Sequence, residues 1–140
     1  LDCINVNVKE HTIDVIDYKT GHPLHTLDPK GKQVHYQEKA HKYKYQLLFY
    51  KLLVESSTEY PGYKVKSGRL DFVEPDPYTK QIDAPVIDYS DSEELVRFKQ
   101  LVISVWRLIQ AQIWPDVSGY SADLKGTMAF EEDILAGKFL

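Results

Sequence analysis

One apolar segment ends in two groups that can do chemistry, the carboxylate of Asp17 and the amine of Lys19. Side chains alternate between the two faces of a β-strand, so residues two apart share a face. A carboxylate there can bind a hard divalent cation, and a lysine beside it can stabilise charge on a phosphate or hold an attacking water. Taken alone, such a pair is more often an exposed ion pair of little energetic consequence.

A second carboxylate, Asp2, begins the preceding segment. Alternating apolar residues predict strands over residues 2–8 and 13–18, joined by a polar turn at residues 9–12 into a hairpin. The hairpin places the end that carries Asp2 beside the end that carries Asp17. Two carboxylates, with water and phosphate oxygens as the other ligands, are a usual magnesium site. The alternative interpretation of Asp2 is a frayed terminal acid without a role.

A polar stripe follows on a predicted helix over residues 35–57. Successive residues turn by about 100°, which places four side chains in one sector of the helix surface. They are Lys39, Lys42, Gln46 and Tyr50. The stripe borders an apolar face made by Ala40, Tyr43, Leu47 and Val54. It is therefore expected at the rim of the core, within reach of the sheet end and of a bound strand, although Tyr50 can equally be a core tyrosine and Gln46 a surface residue.

Together these motifs resemble the RecB-like branch of the PD-(D/E)xK nuclease superfamily, which includes AddB-type nuclease domains and CRISPR adaptation nucleases. The resemblance rests on Asp2, on Ile-Asp-Tyr-Lys-Thr-Gly at 16–21 and on Gln-x-x-x-Tyr at 46–50, and it covers roughly the first 75 residues. It implies that Asp2, Asp17 and the carbonyl of Tyr18 hold the catalytic metal and that Lys19 is the catalytic lysine. Gln46 and Tyr50 would occupy an additional motif near the metal and the DNA.

The function implied is hydrolysis of DNA phosphodiester bonds with Mg²⁺ or Mn²⁺, by an exonuclease in preference to an endonuclease. Lys39 and Lys42, with the additional motif, would contact the substrate. The expected setting is the nuclease module of a helicase–nuclease in DNA repair or recombination, with DNA and a fused or associated helicase as partners. Two alternatives remain: a catalytically inactive nuclease fold that binds DNA or acts as a scaffold, and an interaction domain with a surface ion-pair cluster.

The chain departs from the family pattern in two places. Family members usually open with a helical segment bearing a Glu, whereas this chain starts at Leu1, directly before the first motif. The expected fold is therefore an α/β, restriction-endonuclease-like mixed sheet flanked by helices and lacking that N-terminal helix. Residues 1–140 are interpreted as one nuclease domain from a larger protein. Cys3 is the only cysteine, which excludes the four-cysteine iron–sulfur cluster of many relatives.

Charge and composition agree with one domain that has a local basic surface. The chain has 140 residues, 43% of them hydrophobic, and a net charge of −4. Seven lysines against two acids give residues 19–51 a charge of +5 and leave −9 elsewhere. Such a surface suits a groove that follows phosphates, and a solvated lysine-rich helix face explains it too. No apolar run approaches the ~18 residues of a membrane span, and the single cysteine favours a reducing, cytoplasmic setting.

The remaining elements are predicted from periodicity and turn residues. Residues 20–34 are a predicted loop, and residues 63–74 and 81–89 are predicted strands. Ser90-Asp91-Ser92 and two glutamates predict the start of a second long helix, and a short helix is expected near residues 130–135. The core stripe of the second helix is Leu95, Phe98, Val102, Val105 and Ile109. Trp106 and Trp114, placed on the same helix, are expected to pack against or shield the core and not to stack on bases.

Other candidate site residues have simpler explanations. The histidines of the loop and first helix lack a fixed ligand spacing, so they are predicted to be solvated. They are His22, His25, His35 and His41. Asp71 can approach the end of the sheet, but a cross-strand ion pair explains it as well.

Overall fold

The computed structural model describes residues 1–28, 34–89 and 92–140 of the chain. Its elements are β1 (Cys3–Asn7), β2 (Thr12–Lys19), α1 (Val34–Ser56), β3 (Lys64–Phe72), β4 (Val86–Asp88), α2 (Ser92–Gln110) and α3 (Leu124–Leu135). Their order is the predicted one. Residues 29–33 of the predicted loop lie outside the described residues, as do Ser90 and Asp91 of the predicted helix cap.

The four strands form one mixed sheet in the order β1-β2-β3-β4. β1 and β2 form the predicted antiparallel hairpin, β2 and β3 are parallel, and β4 is antiparallel to β3. Parallel neighbours need a crossover connection, and α1 is part of the connection between β2 and β3. The arrangement is the expected α/β fold, a mixed sheet with three helices, consistent with a restriction-endonuclease-like architecture.

The main core lies between one face of the sheet and α1. Ile13 and Val15 of β2 and Leu70 of β3 are fully buried there against Ala40 and Leu47 of α1. The alternation of β2 therefore continues as predicted, with every second side chain directed at the helix. This alternation fixes the direction of the residues that follow Val15 on the same face, which are Asp17 and Lys19.

Gly68 allows the helix and the sheet to approach closely. A Cβ at this position would overlap the hydroxyl of Tyr89 and lie 3.2 Å from the Leu47 side chain. The Tyr89 hydroxyl donates a hydrogen bond to the backbone oxygen of Leu47, 2.8 Å away. The close approach thus connects the segment after β4 to the middle of α1.

The helices α2 and α3 pack on α1 and on each other. A second apolar cluster, built on Leu101, Leu108 and Ile134, joins them. Among the described residues, no helix is long and apolar enough to cross a membrane.

Several predictions for the C-terminal half were wrong. α2 ends at Gln110, so Trp114 lies beyond it, and the side chains of Trp106 and Trp114 are 57% and 78% exposed instead of packed. Val105 and Ile109 of the predicted core stripe are also exposed, whereas Phe98 is buried. The buried face of α2 is rotated towards Leu101 and Leu108, because the helix must meet both α1 and α3.

Two further elements differ in extent. α3 spans Leu124–Leu135, twice the length of the short helix that was predicted, and it begins where the Asp123 side chain accepts a hydrogen bond from the Gly126 amide. β4 covers only Val86–Asp88 of the predicted strand at residues 81–89. Pro85, directly before β4, has no N–H to donate to β3, although the Pro85 and Asp83 carbonyls still accept hydrogen bonds from β3.

Candidate active site

The end of β2 places a buried carboxylate beside a lysine. Asp17 is 4% exposed because it continues the core-facing side of the strand. The Nζ atom of Lys19 forms an ion pair with Asp17 Oδ2. Burial of an unpaired carboxylate costs several kcal/mol. The ion pair with Lys19 and the other hydrogen bonds to Asp17 must offset about this cost. The pair is therefore not the exposed surface ion pair that the sequence alone allowed.

A relay from α1 reaches the other oxygen of Asp17. The hydroxyl of Tyr50 donates a hydrogen bond to Asp17 Oδ1, at 2.9 Å, and Gln46 Nε2 donates to the Tyr50 hydroxyl, at 2.7 Å. Gln46 and Tyr50, one helical turn apart, thus act on Asp17 as a unit.

These contacts determine the protonation of the site. Burial raises the pKa of Asp17, but the hydrogen bonds from Lys19 and Tyr50 outweigh it and hold the pKa below its usual range. Burial and the hydrogen bond to Asp17 raise the pKa of Tyr50 to about 12. At neutral pH the site therefore contains an aspartate anion and a neutral tyrosine that can only donate to it.

Asp2 lies directly before β1, beside the end of β2. The ladder ends at the pair Cys3 and Ile16, and the Asp2 amide donates to the Ile16 carbonyl at 3.2 Å. The Asp2 Oδ2 atom accepts a hydrogen bond from the Tyr18 amide at 2.7 Å. Asp2 is thus bonded to the strand that carries Asp17 rather than frayed. The Tyr18 side chain, next to Asp17 in the alternation, is 52% exposed.

The chemistry of these donors fits a hard divalent cation. Both acids present carboxylate oxygens, the ligands that Mg²⁺ and Mn²⁺ prefer, and Asp17 is deprotonated. An ionised carboxylate has about four lone-pair positions, so Asp17 can accept its present donors and still offer an oxygen. Within residues 1–28, 34–89 and 92–140, no three His, Cys, Asp or Glu side chains are grouped as metal ligands. Any cation here would need backbone, water or substrate oxygens.

The two lysines of the predicted substrate surface differ in their surroundings. Lys39 Nζ donates to the His22 carbonyl at 2.8 Å, and burial lowers the pKa of Lys39. Lys42 is exposed. Both line an open cavity of about 240 Å³ together with His35, Glu38 and Tyr43.

Two features near α1 were missed or misjudged in the sequence. Tyr43, assigned only to the apolar face, has its ring centroid 4.9 Å from Lys19 Nζ. The prediction of solvated histidines was wrong for His41, whose Nε2 lies 2.8 Å from the buried Glu131. His41 and Glu131 are 90 positions apart in the sequence, so no local pattern indicates this pair. The position of Tyr43 beside the polar stripe was a usable signal.

Asp71 also differs from its predicted contact. Arg69 Nε pairs with Asp71 Oδ1 at 2.6 Å, so the partner lies two residues away on the same strand instead of on a neighbouring one. The pair lies on the sheet face opposite α1, as do Asp14 and Ser67, which share a hydrogen bond of 2.6 Å. Asp71 is thus not part of the group around Asp17.

The family model of the PD-(D/E)XK nuclease superfamily matches residues 1–121. The match includes the whole sheet, α1 and α2, and therefore every residue of the candidate site. The chain belongs to the PD-(D/E)XK nuclease superfamily. Comparison with curated proteins gives no significant match, and comparison with solved structures gives none either.

Proposed function

We propose that the chain is the metal-dependent deoxyribonuclease domain of a RecB-like protein, which hydrolyses phosphodiester bonds. The observation that carries the proposal is the buried Asp17, held between Lys19 and Tyr50 at a strand end where the Tyr18 amide bonds to the Asp2 carboxylate. Superfamily membership supports the nuclease activity. Asp2, Asp17 and the Tyr18 carbonyl would hold one Mg²⁺ or Mn²⁺ ion.

Each residue has a separate part in the proposed reaction. A divalent ion, when bound, acts as a Lewis acid and lowers the pKa of bound water. Lys19 places its ammonium where it can stabilise the negative charge that develops on the phosphate oxygens. Tyr50, itself held by Gln46, keeps the Asp17 carboxylate in one orientation. Preorganised groups of this kind lower the barrier because they need not rearrange during the reaction.

The substrate proposed is DNA, contacted by Lys39 and Lys42 at the cavity beside α1. We infer that residues 1–140 form one nuclease domain of a larger cytoplasmic helicase–nuclease in DNA repair or recombination. Exonuclease action is preferred to endonuclease action, and no iron–sulfur cluster is expected with one cysteine. The support is the resemblance of the motifs at 2, 16–21 and 46–50.

Cleavage of end-labelled single- and double-stranded DNA tests the proposal. Asp17→Asn and Lys19→Ala should each lower the rate at least about a hundredfold, the size of effect that loss of one electrostatic group has. Asp14→Asn is the matched control, because Asp14 lies on β2 but on the opposite face, bonded to Ser67. It should cut at the rate of the unaltered protein. Cleavage without added metal, or unaffected by Asp17→Asn, would refute the assignment.

A second candidate function is a catalytically inactive module that binds DNA. Both oxygens of Asp17 already have donors within the chain, which is also what an acid with a purely structural role would have. The two functions separate in one experiment. DNA binding without metal-dependent cleavage by the longest natural protein would favour the inactive module, and binding with cleavage would favour the nuclease.

A further inference from the structure

Lys19 is held from two directions. Its ammonium pairs with Asp17 and also lies 4.9 Å from the centre of the Tyr43 ring. The side chain is only 16% exposed. The face of an aromatic ring carries partial negative charge and attracts a cation within about 6 Å, more strongly where water is excluded. Tyr43 thus offers Lys19 an attraction that is independent of the carboxylate.

The Tyr43 ring packs against a second aromatic ring. Tyr43 projects from α1 onto the sheet, where its centroid lies 6.3 Å from that of Phe72, the β3 residue paired with Lys19. A second ammonium, that of Lys39, lies 5.7 Å from the Tyr43 ring and 5.6 Å from the Phe72 ring. The hydrogen bond from Lys39 to the His22 carbonyl holds that ammonium in place. Two lysines therefore share one aromatic surface.

We propose that Tyr43 is a positioning residue for Lys19, and that its ring holds the ammonium at the site during the reaction. The inference rests on the proposed nuclease function. Asp17 alone cannot hold the Lys19 ammonium in place, because a carboxylate that also binds a metal ion attracts the lysine less. The ring keeps its attraction whatever the carboxylate binds.

The ring, not the hydroxyl, carries the effect. Tyr43→Phe keeps the aromatic face and should cut DNA at close to the unaltered rate. Tyr43→Leu keeps an apolar side chain without the ring and should lower kcat about threefold to thirtyfold, the range that a partly buried cation–π contact corresponds to. KM should change little, because Tyr43 acts on the reacting lysine.

The contact can be measured without any activity. In protein labelled with ¹³C at the lysine ε-carbons, the ring current of Tyr43 should displace the Lys19 ε-proton signals upfield of those of Lys66, whose side chain is 67% exposed. Tyr43→Phe should keep the displacement and Tyr43→Leu should abolish it. Lys19 signals that coincide with those of Lys66, or that Tyr43→Leu leaves in place, would overturn the proposal whether or not the protein cuts DNA.

Fluorinated phenylalanines at position 43 distinguish the cation–π attraction for Lys19 from the packing of the ring. Phenylalanine analogues with more fluorines at position 43 have nearly the same size but a weaker ring quadrupole, so kcat should fall with each added fluorine. The control is Tyr89, whose ring lies 5.1 Å from the ammonium of Lys51 on α1; that ammonium donates to the Val65 carbonyl near the start of β3. The same series there should leave kcat flat. A flat series at position 43 would overturn the inference alone, whereas an unaltered protein that never cuts DNA would refute the proposed function.

Discussion

Asp17 is buried and ionised at neutral pH, and hydrogen bonds from its neighbours stabilise the buried charge. A hydrogen bond to a charged group contributes more than one between neutral groups. Lys19 and Tyr50 each supply one, to different oxygens. The acid is therefore oriented before any substrate arrives, and the residues that orient it should matter both for stability and for catalysis.

Removal of the Tyr50 hydroxyl tests this dual role. Tyr50→Phe should lower the free energy of unfolding by about 1.5–3 kcal/mol, because Asp17 loses a charge-assisted hydrogen bond. It should lower the cleavage rate by about 10–100-fold, the usual cost of losing a partner that orients a metal ligand. Denaturant unfolding and single-turnover cleavage measure the two effects. Tyr78→Phe, at a side chain 92% exposed, is the control and should change neither; an unaltered rate in Tyr50→Phe would contradict the role given to the relay.

At the scale of elements, one buried carboxylate connects all three helices. Glu131 of α3 is 7% exposed and accepts hydrogen bonds from Tyr45 of α1, at 2.7 Å, and from Arg97 of α2, at 3.2 Å. His41 lies 2.8 Å from its other oxygen. Burial raises the pKa of Glu131, but the bonds from His41 and Tyr45 outweigh it, so the pKa lies below the usual range.

The lowered pKa makes this contribution pH-dependent with a definite sign. Glu131 stabilises the fold while it is ionised, above the pKa that it has in the unfolded chain, and the stabilisation is lost as pH falls through its lower folded pKa. Glu131→Gln should lower the free energy of unfolding by about 1–3 kcal/mol at pH 7. The difference from the unaltered protein should shrink in acid. Glu132→Gln, on the exposed neighbour that also pairs with Arg97, should cost under about 1 kcal/mol; equal losses would contradict the account.

The faces of α2 give a third prediction. Phe98→Ala should lower the free energy of unfolding by about 3–5 kcal/mol, because the side chain is buried in the main core. Trp106→Ala removes a larger side chain that is 57% exposed and should cost less than half as much. Thermal or denaturant unfolding compares the two. A larger loss for Trp106→Ala would show that its ring is buried in solution.

The difference between these two residues also shows where sequence reasoning ended. The alternation of a strand predicted that Asp17 and Lys19 share one face of β2, and the hairpin predicted that Asp2 lies beside the end of β2. Both predictions depend on local geometry. The buried side of α2 depends on how three helices meet, and the ion pair between His41 and Glu131 joins residues far apart in sequence. Periodicity identifies an apolar stripe on a helix, but it does not show which part of the stripe packs against the neighbouring helices.

At the scale of the molecule, most of the described lysines in the basic segment, residues 19–28 and 34–51, already have partners within the chain. Of its lysines, Lys19, Lys44 and Lys51 form ion pairs with Asp17, Glu94 and Glu55. Lys39 is partly buried and bonded to a carbonyl, whereas Lys42 is exposed beside the same cavity. Among the lysines of this segment that the structure describes, DNA binding should therefore depend on Lys42 in particular.

The salt dependence of DNA binding measures whether Lys42 contacts a phosphate. Lys42→Ala should weaken DNA binding and reduce the slope of log K against log salt by about 1, because one phosphate contact and its released counterion are lost. Lys99→Ala, at an exposed lysine on α2, should leave the slope unchanged. Fluorescence anisotropy over a salt series gives both slopes. Equal slopes for the Lys42→Ala variant and the unaltered protein would place the DNA elsewhere.

The pairing of two acids across the hairpin is the centre of the account, and Mn²⁺ binding tests it most directly. Electron paramagnetic resonance of free Mn²⁺ counts the ions that the unaltered protein, Asp2→Asn, Asp17→Asn and Asp14→Asn each remove from solution. One site is expected in the unaltered protein and in Asp14→Asn, with affinity lost at least about tenfold in Asp2→Asn and in Asp17→Asn. Binding that persists unchanged in both Asp2→Asn and Asp17→Asn would contradict a shared metal site.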